Sequence, residues 1–185
     1  MTLGNLLARL VPALDKSGMP YMVTGSVASS AYGLPRSTAD LDVVIAPDEN
    51  QLVLFIRQFP GTSYYADEQQ ALSALARRSQ FNLIDFATGW KVDFIIAQDS
   101  AYSRSALSRR MRLQIEGTTV YVAAPEDVLI AKLQWAKLSD SKRQIQDAVG
   151  ILATQRDRLD LPYIEHWVNE LLLNDQWHAI RRAEA

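Results

Sequence analysis

The part of the sequence that most constrains the fold is residues 21–46, where two short strands flank a helix of small residues. Residues 21–24 are apolar, Gly25-Ser26 follows them, and the second strand carries Asp40 and Asp42. Because successive side chains of a strand alternate between its faces, the two aspartates lie on the same face. Two carboxylates on one face repel each other and resist desolvation unless a cation compensates them. The pair therefore predicts a cation-binding site.

The chemistry around this pair favours a hard divalent cation that also contacts phosphate. Carboxylate oxygens suit Mg²⁺ or Mn²⁺, whose coordination is often completed by water and substrate phosphates. Gly25 allows close approach of the backbone, and Ser26 is expected to cap the helix of residues 26–32. The free N–H groups at such a helix N-terminus attract phosphate. A phosphate-binding turn beside a carboxylate pair is the arrangement that metal-assisted phosphoryl transfer requires.

Two motifs in this stretch resemble a known superfamily. Gly25-Ser26, a spacer and the run Asp40-Leu41-Asp42-Val43 resemble the hG[GS]…DhDh motif of the DNA polymerase β-like nucleotidyltransferases. The run RSTADLD, residues 36–42, further resembles the RxTxDxD form of the AbiEii-like branch, whose members occur as toxins in bacterial toxin–antitoxin pairs. A lone DxD is common in turns and caps, whereas the whole order of strand, turn, helix and acid pair is specific. A hairpin edge with two solvated acids is the alternative.

The resemblance implies a third metal-binding carboxylate on a neighbouring strand, and the sequence offers Asp93. Residues 81–87 and 91–96 predict two strands joined by a turn at residues 88–90. The second strand is apolar on both faces, which is typical of a central strand, so an acid within it requires a partner. In such enzymes the third acid is often the base for the attacking hydroxyl. A structural ion pair with a nearby Lys or Arg is the alternative for Asp93, and Asp85 is the competing carboxylate.

The sequence after residue 124 predicts helices, and it bears on the branch of the superfamily. Residues 125–138 and 140–154 carry apolar side chains at helical spacing. In AbiEii-like enzymes a lysine, followed on the next helix by an aspartate, completes the active site, and Lys132 and Asp147 match those positions. Lys132 would neutralise triphosphate charge, and Asp147 would orient Lys132 or the acceptor. Surface charges on amphipathic helices are the alternative for both residues.

Other charged residues are interpreted as structural. Residues 103–112 predict a helix that could contact a tRNA or a triphosphate, although a solvated helix face is the favoured interpretation. Its arginines are Arg104, Arg109, Arg110 and Arg112. Glu126 and Asp127 are interpreted as first-turn acids that complement a helix dipole.

Composition favours one compact, enzyme-sized domain, with or without a helical appendage. The chain has 185 residues, of which 48% are hydrophobic, so it can fill a core. It has no cysteine, which excludes disulfides, thiolate metal sites and cysteine nucleophiles. The net charge of −2 argues against a general nucleic-acid coating protein. The N-terminus predicts an amphipathic helix and not a signal peptide, so we expect a cytoplasmic protein without a membrane partner.

The elements together predict an α/β (α+β) protein with the nucleotidyltransferase fold, a small mixed β-sheet flanked by helices and followed by a helical C-terminal region. Further helices are expected at residues 47–59 and 67–79, and a last strand at residues 118–123. The expected domains are a nucleotidyltransferase core at residues 1–124 and a helical region at residues 125–185 packed on it, unless the chain forms one single domain.

The resemblance implies an enzyme that moves an NMP from an NTP to a hydroxyl and releases pyrophosphate. The metal ligands would be Asp40, Asp42 and Asp93, the residues that bind nucleotide phosphates Gly25, Ser26, Arg36, Thr38 and Lys132, and the catalytic residues the three aspartates with Lys132 and Asp147. The acceptor would be an RNA such as tRNA, a protein or a small molecule, and a toxin would also have a cognate antitoxin. One alternative is a non-catalytic nucleotide- or partner-binding member of the same fold. Another is an antitoxin or other partner-binding protein, which would require a large exposed apolar patch.

Overall fold

The computed structural model describes residues 2–184, which form two compact units. The first unit comprises the chain through Thr24 and the segment Thr38–Val122. The second unit combines Gly25–Ser37 with the chain from Ala123 onward. The chain therefore leaves the first unit after its first strand, returns to it, and leaves it again. The expected domain division at residue 124 stays a prediction.

Seven strands lie in one mixed sheet of the first unit. In chain order they are β1 (Tyr21–Thr24), β2 (Asp40–Ile45), β3 (Tyr64–Tyr65), β4 (Gln80–Asp85), β5 (Lys91–Ile96), β6 (Met111–Ile115) and β7 (Thr118–Val122). Their order across the sheet is β3-β4-β5-β2-β1-β7-β6. The pairs β1–β7 and β2–β5 are parallel, and the other neighbours are antiparallel. The predicted hairpin of β4 and β5 and the central position of β5 are confirmed.

The helices in the described part of the chain are α1 (Leu3–Ser17), α2 (Gly25–Tyr32), α3 (Glu49–Ile56), α4 (Glu68–Arg77), α5 (Ala101–Arg109), α6 (Pro125–Ser139), α7 (Lys142–Gln155), α8 (Leu161–Glu170) and α9 (Asn174–Glu184). Local sequence explains several of their starts. The Asp48 carboxylate accepts a hydrogen bond from the backbone N–H of Gln51. The side-chain amide oxygen of Gln51 accepts one from the backbone N–H of Asp48, which completes a capping box at the start of α3. The Asp67 carboxylate accepts a hydrogen bond from the backbone N–H of Gln70 at the start of α4, and Pro125 opens α6. None of the helices in residues 2–184 has both the length and the apolar composition of a membrane span.

The core of the first unit explains which face of β2 remains available for chemistry. Leu41, Val43 and Ile45 are fully buried, so the side chains between them face the other side of the sheet. Phe94 of β5 packs edge-on against Phe55 of α3 at a ring-centre distance of 5.1 Å. One face of the central strands thus belongs to the apolar core, and the opposite face carries the aspartates.

The second unit is helical, and its core requires α2 beside α6 and α7. The Tyr32 hydroxyl at the end of α2 donates to the carbonyl of Ala123, and the Gln155 amide of α7 donates to the carbonyl of Tyr32. Burial, together with the charges of Glu126 and Asp127, raises the pKa of Tyr32 to about 12. These contacts hold α2 within the helical unit.

Glu126 and Asp127 lie in the first turn of α6, as predicted. Their side chains are buried, and they accept hydrogen bonds from the backbone N–H of Asp160 and from the Tyr163 hydroxyl, respectively. Two other elements differ from the prediction. The predicted helix at residues 103–112 ends at Arg109, and Arg112 lies in the edge strand β6. The short strand β3 was not predicted, since two residues give no periodic signal.

Candidate active site

The three predicted metal ligands of the first unit lie on the central strands β2 and β5. The parallel register makes Asp42 the direct neighbour of Asp93. Asp40 lies two residues before Asp42 and therefore shares its face of the sheet. The backbone thus places all three aspartates on one face, a juxtaposition that the DxD motif alone could not establish.

A lysine accompanies these carboxylates. Lys91 is the register partner of Asp40, and its Nζ lies 2.8 Å from Oδ2 of Asp93 and 3.7 Å from Oδ1 of Asp40. The hydrogen bond to Asp93 raises the pKa of Lys91, burial opposes this rise, and the charges of Asp93 and Asp40 add to it. The structural ion pair that the sequence left open for Asp93 is therefore present. Lys91 was not predicted as a site residue. Its position two residues before Asp93 on the same strand could have indicated that the two side chains share a face.

The fit of these residues to Mg²⁺ or Mn²⁺ is good in donor chemistry and in register. Three carboxylates on adjacent central strands provide the hard oxygen ligands that these ions prefer. The side chains of Asp40 and Asp93, however, contact the Lys91 ammonium, and no three His, Cys, Asp or Glu side chains in residues 2–184 form a metal-binding group. The backbone of β2 and β5 therefore places the three aspartates as a metal site requires. A metal ion would have to replace the contacts of Lys91 with Asp40 and Asp93.

Asp85, the competing carboxylate, has a different environment. Its side chain is 1% exposed and forms an ion pair with Arg9 of α1. It also accepts hydrogen bonds from the Thr88 hydroxyl at 2.8 Å and from the backbone N–H of Ala87 at 3.0 Å. Its oxygens are therefore committed to the turn after β4 and to α1, which makes Asp85 a structural residue.

In the second unit, Lys132 of α6 and Asp147 of α7 form a buried ion pair. Lys132 Nζ lies 2.7 Å from Asp147 Oδ2, and the two side chains are only 4% and 10% exposed. The interpretation of these residues as surface charges is thus wrong. A lysine at this depth requires a carboxylate because burial without one would disfavour the charged form.

Arg36 extends this pair into a network. Its Nε lies 3.3 Å from Asp147 Oδ1, and its guanidinium donates to the Ser26 hydroxyl near the start of α2. The network contains two cations and one carboxylate, so it has one positive charge in excess and can attract an anion. The expectation that Ser26 caps α2 is wrong, because the helix begins at Gly25 and Ser26 lies inside its first turn. Gly25 has a positive φ of 64°, which glycine adopts without strain.

Thr38 belongs to the first unit and acts locally. Its hydroxyl accepts a hydrogen bond from the backbone N–H of Asp40 at 3.3 Å. This contact stabilises the start of β2, where the first of the aspartates lies. The predicted site residues therefore fall into two groups, one in the first unit and one in the second.

Comparison with solved structures identifies the fold. No protein-family model matches the sequence, and no curated protein matches it significantly. The antibiotic-resistance factor ANT(2'')-Ia in complex with adenylyl-2''-tobramycin is similar at a TM-score of 0.53, with 12% identity over 100% of both chains. Its solution structure gives a TM-score of 0.51 at 12% identity, over 97% of this chain and 95% of that one.

A fungal structure is similar to the same extent. An antigenic nucleotidyltransferase-like protein from Paracoccidioides brasiliensis has a TM-score of 0.55 at 18% identity, over 97% of this chain and 92% of that one. These similarities extend over nearly the whole length of each chain, which motif resemblance could not show. The chain therefore has the fold of the nucleotidyltransferases.

Proposed function

We propose that this protein is a nucleotidyltransferase that moves an NMP from an NTP to a hydroxyl and releases pyrophosphate. The observation that carries the proposal is the register of β2 and β5, which pairs Asp42 with Asp93 and leaves Asp40 on the same face. A structural protein gains nothing from three carboxylates on its central strands, because each one resists desolvation. Nucleotide transfer gives them a purpose.

The strand residues would handle the metal and the acceptor. Asp40, Asp42 and Asp93 would hold Mg²⁺ or Mn²⁺, which supplies the positive charge that phosphoryl transfer needs. Asp93 would also accept the proton of the attacking hydroxyl, since it is the least exposed of the acids that contact Lys91. Thr38 would keep Asp40 in place through its backbone hydrogen bond.

The site residues of the second unit would bind phosphate. Lys132 and Arg36 would neutralise the charge of the triphosphate, and Asp147 would orient both cations. Gly25 and Ser26 would present the first backbone N–H groups of α2. The excess positive charge of this network supports the assignment.

The acceptor is the open part of the proposal. The adenylylated tobramycin bound to the similar ANT(2'')-Ia structure makes a small hydroxylated molecule one class to test. The resemblance to AbiEii-like enzymes makes tRNA and protein side chains the others, with a role as a toxin and a cognate antitoxin. A cytoplasmic location would suit each of them.

One observation favours a second function. Because Lys91 already compensates Asp93 and Asp40, the fold could hold a nucleotide or a partner without catalysis. Such a protein would bind NTP through the helical network and transfer nothing. The two functions differ in whether labelled product forms.

The experiment is incubation of the protein with each α-labelled NTP, Mg²⁺ and separate pools of tRNA, proteins and aminoglycosides. The Asp40→Ala/Asp42→Ala variant should lose at least about 100-fold of the labelling rate. Asp157→Ala/Asp175→Ala, which changes the same charge at exposed positions, should label as the wild type does. Equal labelling by the two double variants would contradict the mechanism. NTP binding without labelling of any pool would support the non-catalytic function.

A further inference from the structure

We propose that Lys91 is an internal counter-ion that occupies the acidic face of β2 and β5 and is displaced when a divalent cation binds there. This role rests on the proposed function, because it takes Asp40, Asp42 and Asp93 as the metal ligands. It adds a residue that the resemblance does not mark, and it predicts how tightly the protein binds metal.

The position of Lys91 follows from the strand register. Lys91 and Asp93 are two residues apart on β5 and share a face, while Asp40 lies across from Lys91 on β2. The ammonium therefore reaches one carboxylate along its own strand and another on the neighbouring strand. Its distances of 2.8 Å and 3.7 Å to these two carboxylates agree with this arrangement.

The ammonium and a metal ion would compete for the same oxygen atoms. Mg²⁺ binds oxygen at about 2.0–2.1 Å and demands near-octahedral geometry around it. An ammonium 2.8 Å from Asp93 Oδ2 lies in the space that such a shell would use, and it repels a second cation. The lysine contact and a metal contact therefore compete at Asp93 Oδ2.

The side chain of Lys91 is able to move away. It is 39% exposed, and its four-carbon stem carries a strongly hydrated charge that water can take over. The lysine therefore stabilises the acidic face in the absence of metal, and its displacement lowers the apparent affinity for the divalent ion. A neutral side chain at this position removes the competitor.

The test is a titration with Mn²⁺, followed by the electron paramagnetic resonance signal of the free ion. Lys91→Met should bind Mn²⁺ about tenfold more tightly than the wild type, a difference of about 1.4 kcal/mol. Lys91→Arg keeps the charge and should stay within about threefold of the wild type. Lys16→Met, an exposed lysine of α1, makes the same change of net charge and should leave the affinity unaltered.

Thermal unfolding supplies a second readout that needs no activity. In chelator, Lys91→Met should melt below the wild type, because its carboxylates have lost their counter-ion. Added Mn²⁺ should raise its melting temperature by more than it raises that of the wild type. Lys91→Gln is a second neutral variant and should behave in the same way.

The outcomes separate this role from the proposed function. The first outcome is that the wild type binds Mn²⁺, Asp40→Ala/Asp42→Ala does not, and Lys91→Met binds it no more tightly than the wild type. This outcome overturns the counter-ion role and leaves the proposed metal site intact. If Asp40→Ala/Asp42→Ala binds Mn²⁺ as well as the wild type, the metal site of the proposed function fails and the counter-ion role fails with it. Tighter binding by Lys91→Met and Lys91→Gln, but not by Lys91→Arg, supports it.

Discussion

Replacing Asp147 should destabilise the protein more than replacing Lys132, although the two side chains form one ion pair. Asp147 contacts two cations, whereas the described hydrogen bond of Lys132 goes to Asp147. In Asp147→Ala, the Lys132 side chain, which is only 4% exposed in the wild type, loses that carboxylate. In Lys132→Met, the carboxylate of Asp147 keeps the Arg36 guanidinium at 3.3 Å. The loss of the shared carboxylate is therefore the larger perturbation.

The magnitudes follow from burial. Removing one partner of a buried ion pair costs about 3–5 kcal/mol of the free energy of unfolding, so Asp147→Ala should fall in this range. Lys132→Met should cost about 1–2 kcal/mol, because a second cation remains and the methionine fills the space of the lysine stem. The double variant Lys132→Met/Asp147→Ala should be more stable than Asp147→Ala alone, since it leaves no lysine buried beside an alanine.

Urea unfolding measures these differences. With a slope of about 2 kcal/mol/M, Asp147→Ala should lower the urea midpoint by about 1.5–2.5 M. Asp157→Ala is the matched control, because this carboxylate is exposed and its loss should cost less than about 0.5 kcal/mol. Circular dichroism and tryptophan fluorescence should be compared, since two units can unfold separately. Either a cost for Asp147→Ala no larger than the control, or a larger cost for Lys132→Met, would refute the reasoning.

Two further predictions concern the packing of α2 in the helical unit. Gly33→Ala should cost about 1–3 kcal/mol, because its Cβ would lie 3.0 Å from the carbonyl carbon of Gly150 and from the backbone nitrogen of Ile151, and urea titration measures the loss. The pKa of Tyr32, raised to about 12, makes folding stability fall as pH rises from 10 to 12, because the phenol ionises first in the unfolded chain. Between pH 10 and pH 12, Tyr32→Phe should lose about 2–3 kcal/mol less of its free energy of unfolding than the wild type, as measured by urea denaturation at each pH.

Each of these has a simple counter-check. Gly61→Ala adds the same methyl group where nothing lies within 4 Å, so it should be neutral or slightly stabilising. If Gly33→Ala matches Gly61→Ala, the close approach of α2 to α7 is not tight. If Tyr32→Phe and the wild type lose stability equally between pH 10 and pH 12, the phenol does not carry the predicted linkage.

The acidic motif illustrates how much of the site the sequence can predict. Alternation along β2 was enough to put Asp40 and Asp42 on one face, because strand periodicity is a local property. The neighbourhood of Asp93 was inferred from a resemblance, since the pairing of β2 with β5 joins segments about 50 residues apart in the chain. The contact of Lys91 with Asp40 was missed because an ion pair across strands depends on that register.

The helices show the opposite difficulty. Charged side chains on α6 predict a solvated face, yet Glu126, Asp127 and Lys132 are buried. Each forms a hydrogen bond with a residue of α7, of α8 or of the N-cap of α8, and partners that distant leave no periodic pattern in the sequence of α6 itself. The existence of the helix could be predicted, but the burial of its charges could not.

The return of the chain between β1 and β2 limits how this protein can be divided or recombined. A fragment that stopped after Val122 would keep α2 and delete α6 and α7, so the buried side chains of Val27, Ala28 and Tyr32 would meet water. A helical fragment would need Gly25–Ser37 fused ahead of Ala123. A single crossover between two genes cannot exchange the helical unit intact, because its two segments require crossovers after Thr24, Ser37 and Val122.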